Sequence, residues 1–172
     1  EELGFDVLGW TDLSREPPAL HLLKKGDIHR PGPVVPPGSL SSVPSLNREF
    51  SPAPTDAKTS RRRLQLAEWI VDPRNPLTSR VIVNRLWQHH FGEGIVRTPD
   101  NFGFAGAQPT HGELLDYLAS DLVAGGWKLK RLHKLIVMSE TYRQASIHPA
   151  QASYDQRDAG NLLWWRAERR RL

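Results

Sequence analysis

One stretch constrains this chain more than any other: Asn75 to Gly103, NPLTSRVIVNRLWQHHFGEGIVRTPDNFG. Asn75 suits an N-cap, Pro76 the first helical position and Gly92 the residue just past a helix end, so the spacing predicts a helix over 76–91. At about 100° per residue, Leu77, Val81, Ile82, Val83, Leu86, Trp87 and Phe91 cover more than half of the helical wheel. The reading that follows is a central core helix enclosed by protein on most sides. Arg80, Asn84 and His90 fall inside the apolar arc, where polar side chains need partners.

The 172 residues allow one domain of ordinary size, or a domain with an extended arm. The chain opens on Glu1 and stops in the basic run Arg169-Arg170-Arg171-Leu172, which looks like the start of a further helix, so it reads as a piece of a longer protein. No run approaches the roughly 18 apolar residues of a membrane span. The absence of cysteine excludes disulfides, thiolate metal sites, a cysteine nucleophile and C-x-x-C-H haem attachment within this sequence. A net charge of +4 implies weak, salt-sensitive attraction to polyanions and nothing more specific.

Nine of the 14 prolines lie in residues 1–60 and break any helical period there. Ala19 to Lys24 and Val34-Val35 flank the turn-rich GDIHRPGP and predict a small antiparallel pair, with Val7-Leu8 as a further extended segment. Ser39 to Thr59 reads as a surface connector. From Ser60, a plausible cap, a helix is predicted to about Val71 with Leu64, Ala67, Ile70 and Val71 inward and Trp69 at a flank. Thr110-His111-Gly112-Glu113 fits a capping box ahead of a helix carrying Leu114, Leu115, Leu118, Leu122 and Val123, closed by Gly125-Gly126. A last helix is expected from Leu129 to about Tyr142-Arg143, with Leu132, Leu135, Ile136 and Val137 inward. Asn161 to Trp165 reads as a strand or a helical turn returning two tryptophans to the bundle. The fold class is mainly α: an irregular bundle around a central buried helix over 60–172, and an extended Pro-rich arm over 1–59 bearing the β pair.

The candidate binding residues are Arg97, Asp100, Asn101, His111 and Glu113, gathered around the long loop 92–108 and the next helix start, with Trp87 beneath. A loop of that length often carries function, a helix start offers free N–H groups, and an aromatic surface suits a sugar face. The competing reading is that these residues make turns and caps. Arg80, Asn84, Trp87 and Phe91 share one strip of the central helix, which could grip a carboxylate or sugar hydroxyls; alternatively Arg80 and Asn84 tie loops to the helix through backbone oxygens. His90 and His133 read as histidines of a polar core. The adjacent pair His89-His90 points its rings about 100° apart on a helix, so no metal site is expected. No Gly-x-Ser-x-Gly elbow, phosphate-binding loop or dinucleotide fingerprint is present.

The ordered blocks from RRRLQLAEWIVDPRNPLTSRVIVNRLWQHHFGEGIVRTPDNFG through THGELLDYLASDLVAGGWKLKRLHKLIVMSETYRQAS resemble the uncharacterised Planctomycete-specific domain, abbreviated PSD. LLKKGDIHRPGPVVPPGSLSSV is similar to that family's usual lead-in, and NLLWWRAERRRL to the start of its next helical part. The resemblance carries no reaction and no catalytic residues. It implies a large exported or periplasmic bacterial protein that also contains a cytochrome-c-like domain, with the other domains of that protein, a haem-containing one among them, as partners. It also implies a neighbourhood association with polysaccharide breakdown. No cofactor is expected in this segment. The function that fits is an auxiliary or interaction module; the alternatives are an enzyme domain acting on a carbohydrate or related polymer, and, on charge alone, a helix-turn-helix-like nucleic-acid binder.

Overall fold

The structure, a computed structural model, describes residues 14–168. The extended segment expected at Val7-Leu8 and the helix opening at Arg169 to Leu172 lie outside the described residues. The chain forms two compact units, Glu1–Asn75 and Pro76–Leu172. The fold is mainly helical with one small antiparallel pair.

In the first unit, strands β1 (Leu20–Leu23) and β2 (Pro31–Val35) pair with Leu20 opposite Val35, His21 opposite Val34 and Leu23 opposite Pro31. Prolines at 31 and 33 are compatible with a two-stranded ribbon because both strands are edges. Apolar side chains of the ribbon and its turn stand in solvent: Leu20 is 69% exposed, Leu22 62% and Ile28 72%. The connector that follows is more folded than its composition suggests. Gly38 bridges Glu49, the Ser39 hydroxyl accepts the Arg48 N–H at 2.8 Å, and Val43 and Leu46 are buried.

Helix α1 (Arg62–Ile70) departs from expectation at its start and on its inner face. Arg61, in the left-handed region at φ 56°, occupies the capping position, and the Ser60 hydroxyl accepts the Arg62 N–H at 3.4 Å. Trp69, expected at a flank, is the buried residue, whereas Leu64, Ile70 and Val71 are exposed. The indole explains the exchange: it offers the largest apolar area on the helix, and its N–H donates to the Leu46 carbonyl at 3.0 Å, so it can be buried without an orphaned donor. Gln65 ties the connector to the helix by accepting the Ser51 N–H and donating to the Ser51 carbonyl, at 2.8 and 3.0 Å. The stop at Asp72-Pro73 is a closed turn in which the Asp72 carboxylate takes the Arg74 N–H and guanidinium. Those bonds pull the Asp72 carboxyl down to about 2.

In the second unit, α2 (Pro76–Phe91) packs chiefly on α3 (Gly112–Ala124), with α4 (Leu129–Val137) against both. As expected, α2 is covered on most sides, and its exposed positions, Val81, Arg85 and His89, form one narrow strip. Its buried stripe is Ser79, Val83, Asn84 and Trp87, while Val81 is 36% exposed and Arg85 and His89 face solvent. The apolar arc is wide because half-buried positions such as Ile82 and Leu86 pack along the margins of the core. Gly92 follows α2 at φ 92°, a conformation that favours glycine. Helix α3 ends in a Schellman arrangement: Trp127 N–H bonds Leu122 O and Gly126 N–H bonds Val123 O, with Gly126 at φ 68°. The Arg131 guanidinium then grips both Asp121 carboxylate oxygens at 2.6 and 2.7 Å.

Two further differences concern helix starts and breaks. The capping box at Thr110 does not form. The Thr110 N–H and hydroxyl both donate to the Ile95 carbonyl, His111 stands at the cap without a side-chain bond to the helix's N–H groups, and Glu113 is exposed. The last long helix is broken at Met138-Ser139, where Ser139 caps the short α5 (Glu140–Arg143) through the Tyr142 N–H. On α4, Leu132 and Ile136 are buried but Leu135 is 39% exposed. Helix α6 (Gln151–Asp158) has no buried residue, and beyond it Asn161 to Trp165 is a turn, not a strand; it places Trp164 in the core and Trp165 against Tyr154.

The loop after α2 is the least expected part of the core. Ile95 and Val96 are 0% and 3% exposed and pack with Val83, Trp87 and Leu115. Ile95→Ala should therefore cost about 2–5 kcal/mol in urea denaturation, as for a buried aliphatic residue in a helix. A loss below about 1 kcal/mol would show that this loop is outside the cooperative core.

Candidate functional site

The loop 92–108 is held from beneath by one amide. Asn84, fully buried on α2, accepts the Val96 N–H at 2.8 Å and donates to the Val96 carbonyl at 2.9 Å. Gly94 makes this possible, because a Cβ there would lie 2.6 Å from Asn84 Nδ2 and 2.6 Å from the Val96 carbonyl oxygen. Further along, the Thr98 hydroxyl donates to Asn101 O and accepts from Ala107 N–H, and Asn101 Oδ1 accepts from Gly103 N–H. Gly106 sits so close to the Asn101 carbonyl, 2.1 Å from a would-be Cβ, that only glycine fits.

Between this loop and the start of α3 lies a cleft of about 300 Å³, lined by Phe102, Gly103, Pro109, Gly112, Arg80 and Asp116 among others. Its charged pair is an ion pair: Arg80 Nε donates to Asp116 Oδ1 at 2.6 Å, and Arg80 Nη1 also bonds the Pro76 carbonyl on its own helix. The Arg80 guanidinium holds the Asp116 carboxyl below the usual carboxylate range.

The residues singled out in the sequence divide. Arg97 pairs with Glu93 and donates to the Gly160 carbonyl at 3.1 Å. Asp100 and Glu113 are exposed, and Asn101 is a turn residue. His111 Nδ1 lies 3.1 Å from the Thr110 hydroxyl. Trp87 is not beneath the cleft; it stacks on Phe91 at 4.2 Å between centroids and meets Trp164 edge-on at 5.7 Å. The strip Arg80, Asn84, Trp87 and Phe91 is thus not one surface. Arg80 reaches α3, Asn84 holds the loop, and the two aromatics belong to the core cluster. His90 and His133 are half-buried and bond each other, Nε2 to Nδ1 at 2.8 Å. Among the described residues no group of three His, Asp or Glu stands close enough to hold a metal ion, and no helix is long and apolar enough to cross a membrane.

Asp116 is unmarked in the sequence as a site residue, and Trp164 is expected there to return to the bundle but not to join Trp87 and Phe91. Asp116 sits on the polar side of a leucine-rich helix, where an acid ordinarily needs no explanation, and Trp164 lies in a segment without a clear period.

The PSD1 family, described as a protein of unknown function (DUF1553), matches residues 62–172. The chain belongs to this family. The match takes in α1, the Asn84-held loop and the cleft, and ends at the last residue of the chain. No curated protein matches the PSD1 chain, and no solved structure does.

Two outcomes test this geometry. Asn84→Ala should cost about 1–3 kcal/mol in chemical denaturation, the range for buried groups left without a partner. Asp116→Asn should cost less than about 1 kcal/mol, because both partners are partly exposed, at 34% and 56% for the two side chains. A lowered folded-state pKa means that the folded protein binds fewer protons. The Asp116 contribution is therefore present above the unfolded carboxylate range, about 3.9, and is lost as pH falls through the lowered value. The stability curves of wild type and Asp116→Asn should converge in acid.

Proposed function

We propose that this PSD1 chain is an auxiliary interaction module of a large exported bacterial protein, working beside a cytochrome-c-like domain. The observation that carries the reading is the apolar ribbon of the first unit. Leu20, Leu22, Ile28 and Val34 are between 57% and 72% exposed on a two-stranded element with no buried residue of its own. Isolated ribbons of this kind are marginal in water, and exposed apolar surface is what association uses. The cleft by α3 supports the same reading. Its charged pair is self-neutralised, and Thr98 and Asn101 of the loop are spent on the loop's own backbone, which leaves recognition better served than acid–base chemistry. The resemblance to Planctomycete proteins carrying cytochrome-c-like domains supplies the partner.

The test is association with the haem-bearing domain of the same protein, followed by sedimentation velocity at the haem absorbance. A saturable complex is expected. Leu22→Lys with Val34→Lys should abolish it while changing thermal stability by less than about 0.5 kcal/mol, as for exposed sites. Hydrolysis of a polysaccharide by the chain alone, reduced in Asp100→Ala or Glu113→Ala, would replace this reading with the enzymatic one.

A further inference from the structure

A second pocket, away from the loop cleft, lies where α5 and the turn after α6 meet the end of α2. It encloses about 250 Å³ and is lined by His90, Phe91, Tyr142, Trp164, Arg166 and Glu168, with Thr141 beside them. Its walls are mostly rings. Phe91 and Tyr142 meet edge-to-face at 5.9 Å, Phe91 and Trp164 lie 5.2 Å apart, and His90 meets Tyr142 at 5.8 Å. His90 Nε2 is engaged with His133, so the imidazole is an oriented wall.

The cation in this pocket is Arg166, and its placement is unusual. Asn161, 1% exposed, donates to the Arg166 carbonyl at 2.9 Å and accepts its N–H at 3.3 Å. Ala167 N–H bonds the Ala145 carbonyl at 3.1 Å, which fixes the next residue to the segment after α5. The guanidinium lies over the Trp165 ring at 5.1 Å, and its Nε is buried without a hydrogen-bond partner. Among the described residues no carboxylate pairs with Arg166; the acids nearby are Glu168, exposed at the rim, and Glu140, which pairs with Arg143. Trp164, 6% exposed, likewise keeps an indole N–H without a partner. Fixed, unpaired donors beside a cluster of rings are the features of a ligand site rather than of a packing seam.

We propose that this pocket binds a carboxylate carried on a six-membered ring, with the carboxylate on the Arg166 guanidinium and the ring face against Tyr142. A planar guanidinium matches a carboxylate through two parallel bonds, and the ring walls supply a stacking face. A doubly charged anion fits less well, because one cation serves the pocket and Glu168 stands at its edge. A sugar acid and an aromatic acid share the required chemistry. In a sugar acid, the hydroxyls meet Thr141 and Glu168 at the rim. The inference does not depend on the interaction-module reading, since the ribbon takes no part in it.

The test is calorimetric titration of the 172-residue chain with glucuronate and with benzoate, alongside glucose, glucuronate methyl ester and inorganic phosphate. Saturable binding of at least one of the two acids is expected, with no binding of glucose or the ester. Glucuronate alone would assign a sugar acid, benzoate alone an aromatic acid, and both together the shared ring carboxylate. Arg166→Gln should weaken binding at least about tenfold, the loss of a charge-assisted pair. Tyr142→Ala, at a position 43% exposed and so tolerant of truncation, should weaken it with the melting temperature unchanged. The proposal is overturned if neither acid binds, if the ester or phosphate binds as well as the acid, or if both variants bind like wild type.

Discussion

A single buried amide, that of Asn84, brings the loop after α2 into the core of the second unit. It satisfies both backbone groups of Val96 from inside α2, and in doing so turns an irregular stretch of chain into a wall of the interior. Ile95, drawn in beside Val96, then supplies the carbonyl that receives both the N–H and the hydroxyl of Thr110, which sets where α3 begins. The same device recurs. Gln65 takes both backbone groups of Ser51 and Asn161 those of Arg166, so that three loops are attached by side-chain amides acting as one-residue strands. A side-chain amide has one donor face and one acceptor, the complement of a peptide, and at buried sites this leaves neither partner orphaned.

How much of this is legible in the sequence depends on which physical signal carries it. Helices whose faces repeat, α2 and α3, are read correctly in type and nearly so in extent, and the turn GDIHRPGP between two apolar runs places the ribbon. Inner faces are read less well where one large residue outweighs the period. Trp69 displaces Leu64 and Ile70 because its area and its N–H both find a home, and no periodic count contains the Leu46 carbonyl. Caps fail for a related reason: Thr110 has the right spacing for a capping box, but its hydroxyl is claimed by a carbonyl fifteen positions earlier in the chain.

The candidate site shows the same limit more sharply. The place where loop and helix start come together can be inferred from loop length and cap chemistry, and a cleft lies there. Its charged pair joins Arg80 to Asp116, residues 36 apart in sequence, and nothing local on either helix announces the other. Ile95-Val96 carried a signal that could have been used: two adjacent β-branched residues in a glycine-rich loop form an apolar island that water does not favour. The Trp164-Trp165 pair announces a return to the bundle but not its partners Trp87 and Phe91, since it arrives on a turn bent through left-handed Asn161 and Trp164.

Asn161 grips Arg166 by its main chain alone, and that separates address from content. Every residue except proline carries the same N–H and carbonyl, so the scaffold keeps position 166 at the mouth of the pocket whatever side chain is mounted there. Replacing arginine by an acid, an amide or an aromatic changes what the pocket attracts without asking the fold to find a new way of closing. A main-chain-held position of this kind leaves its side chain free of the fold, whereas at Asn161 and Asn84 the side chains are themselves the fastenings.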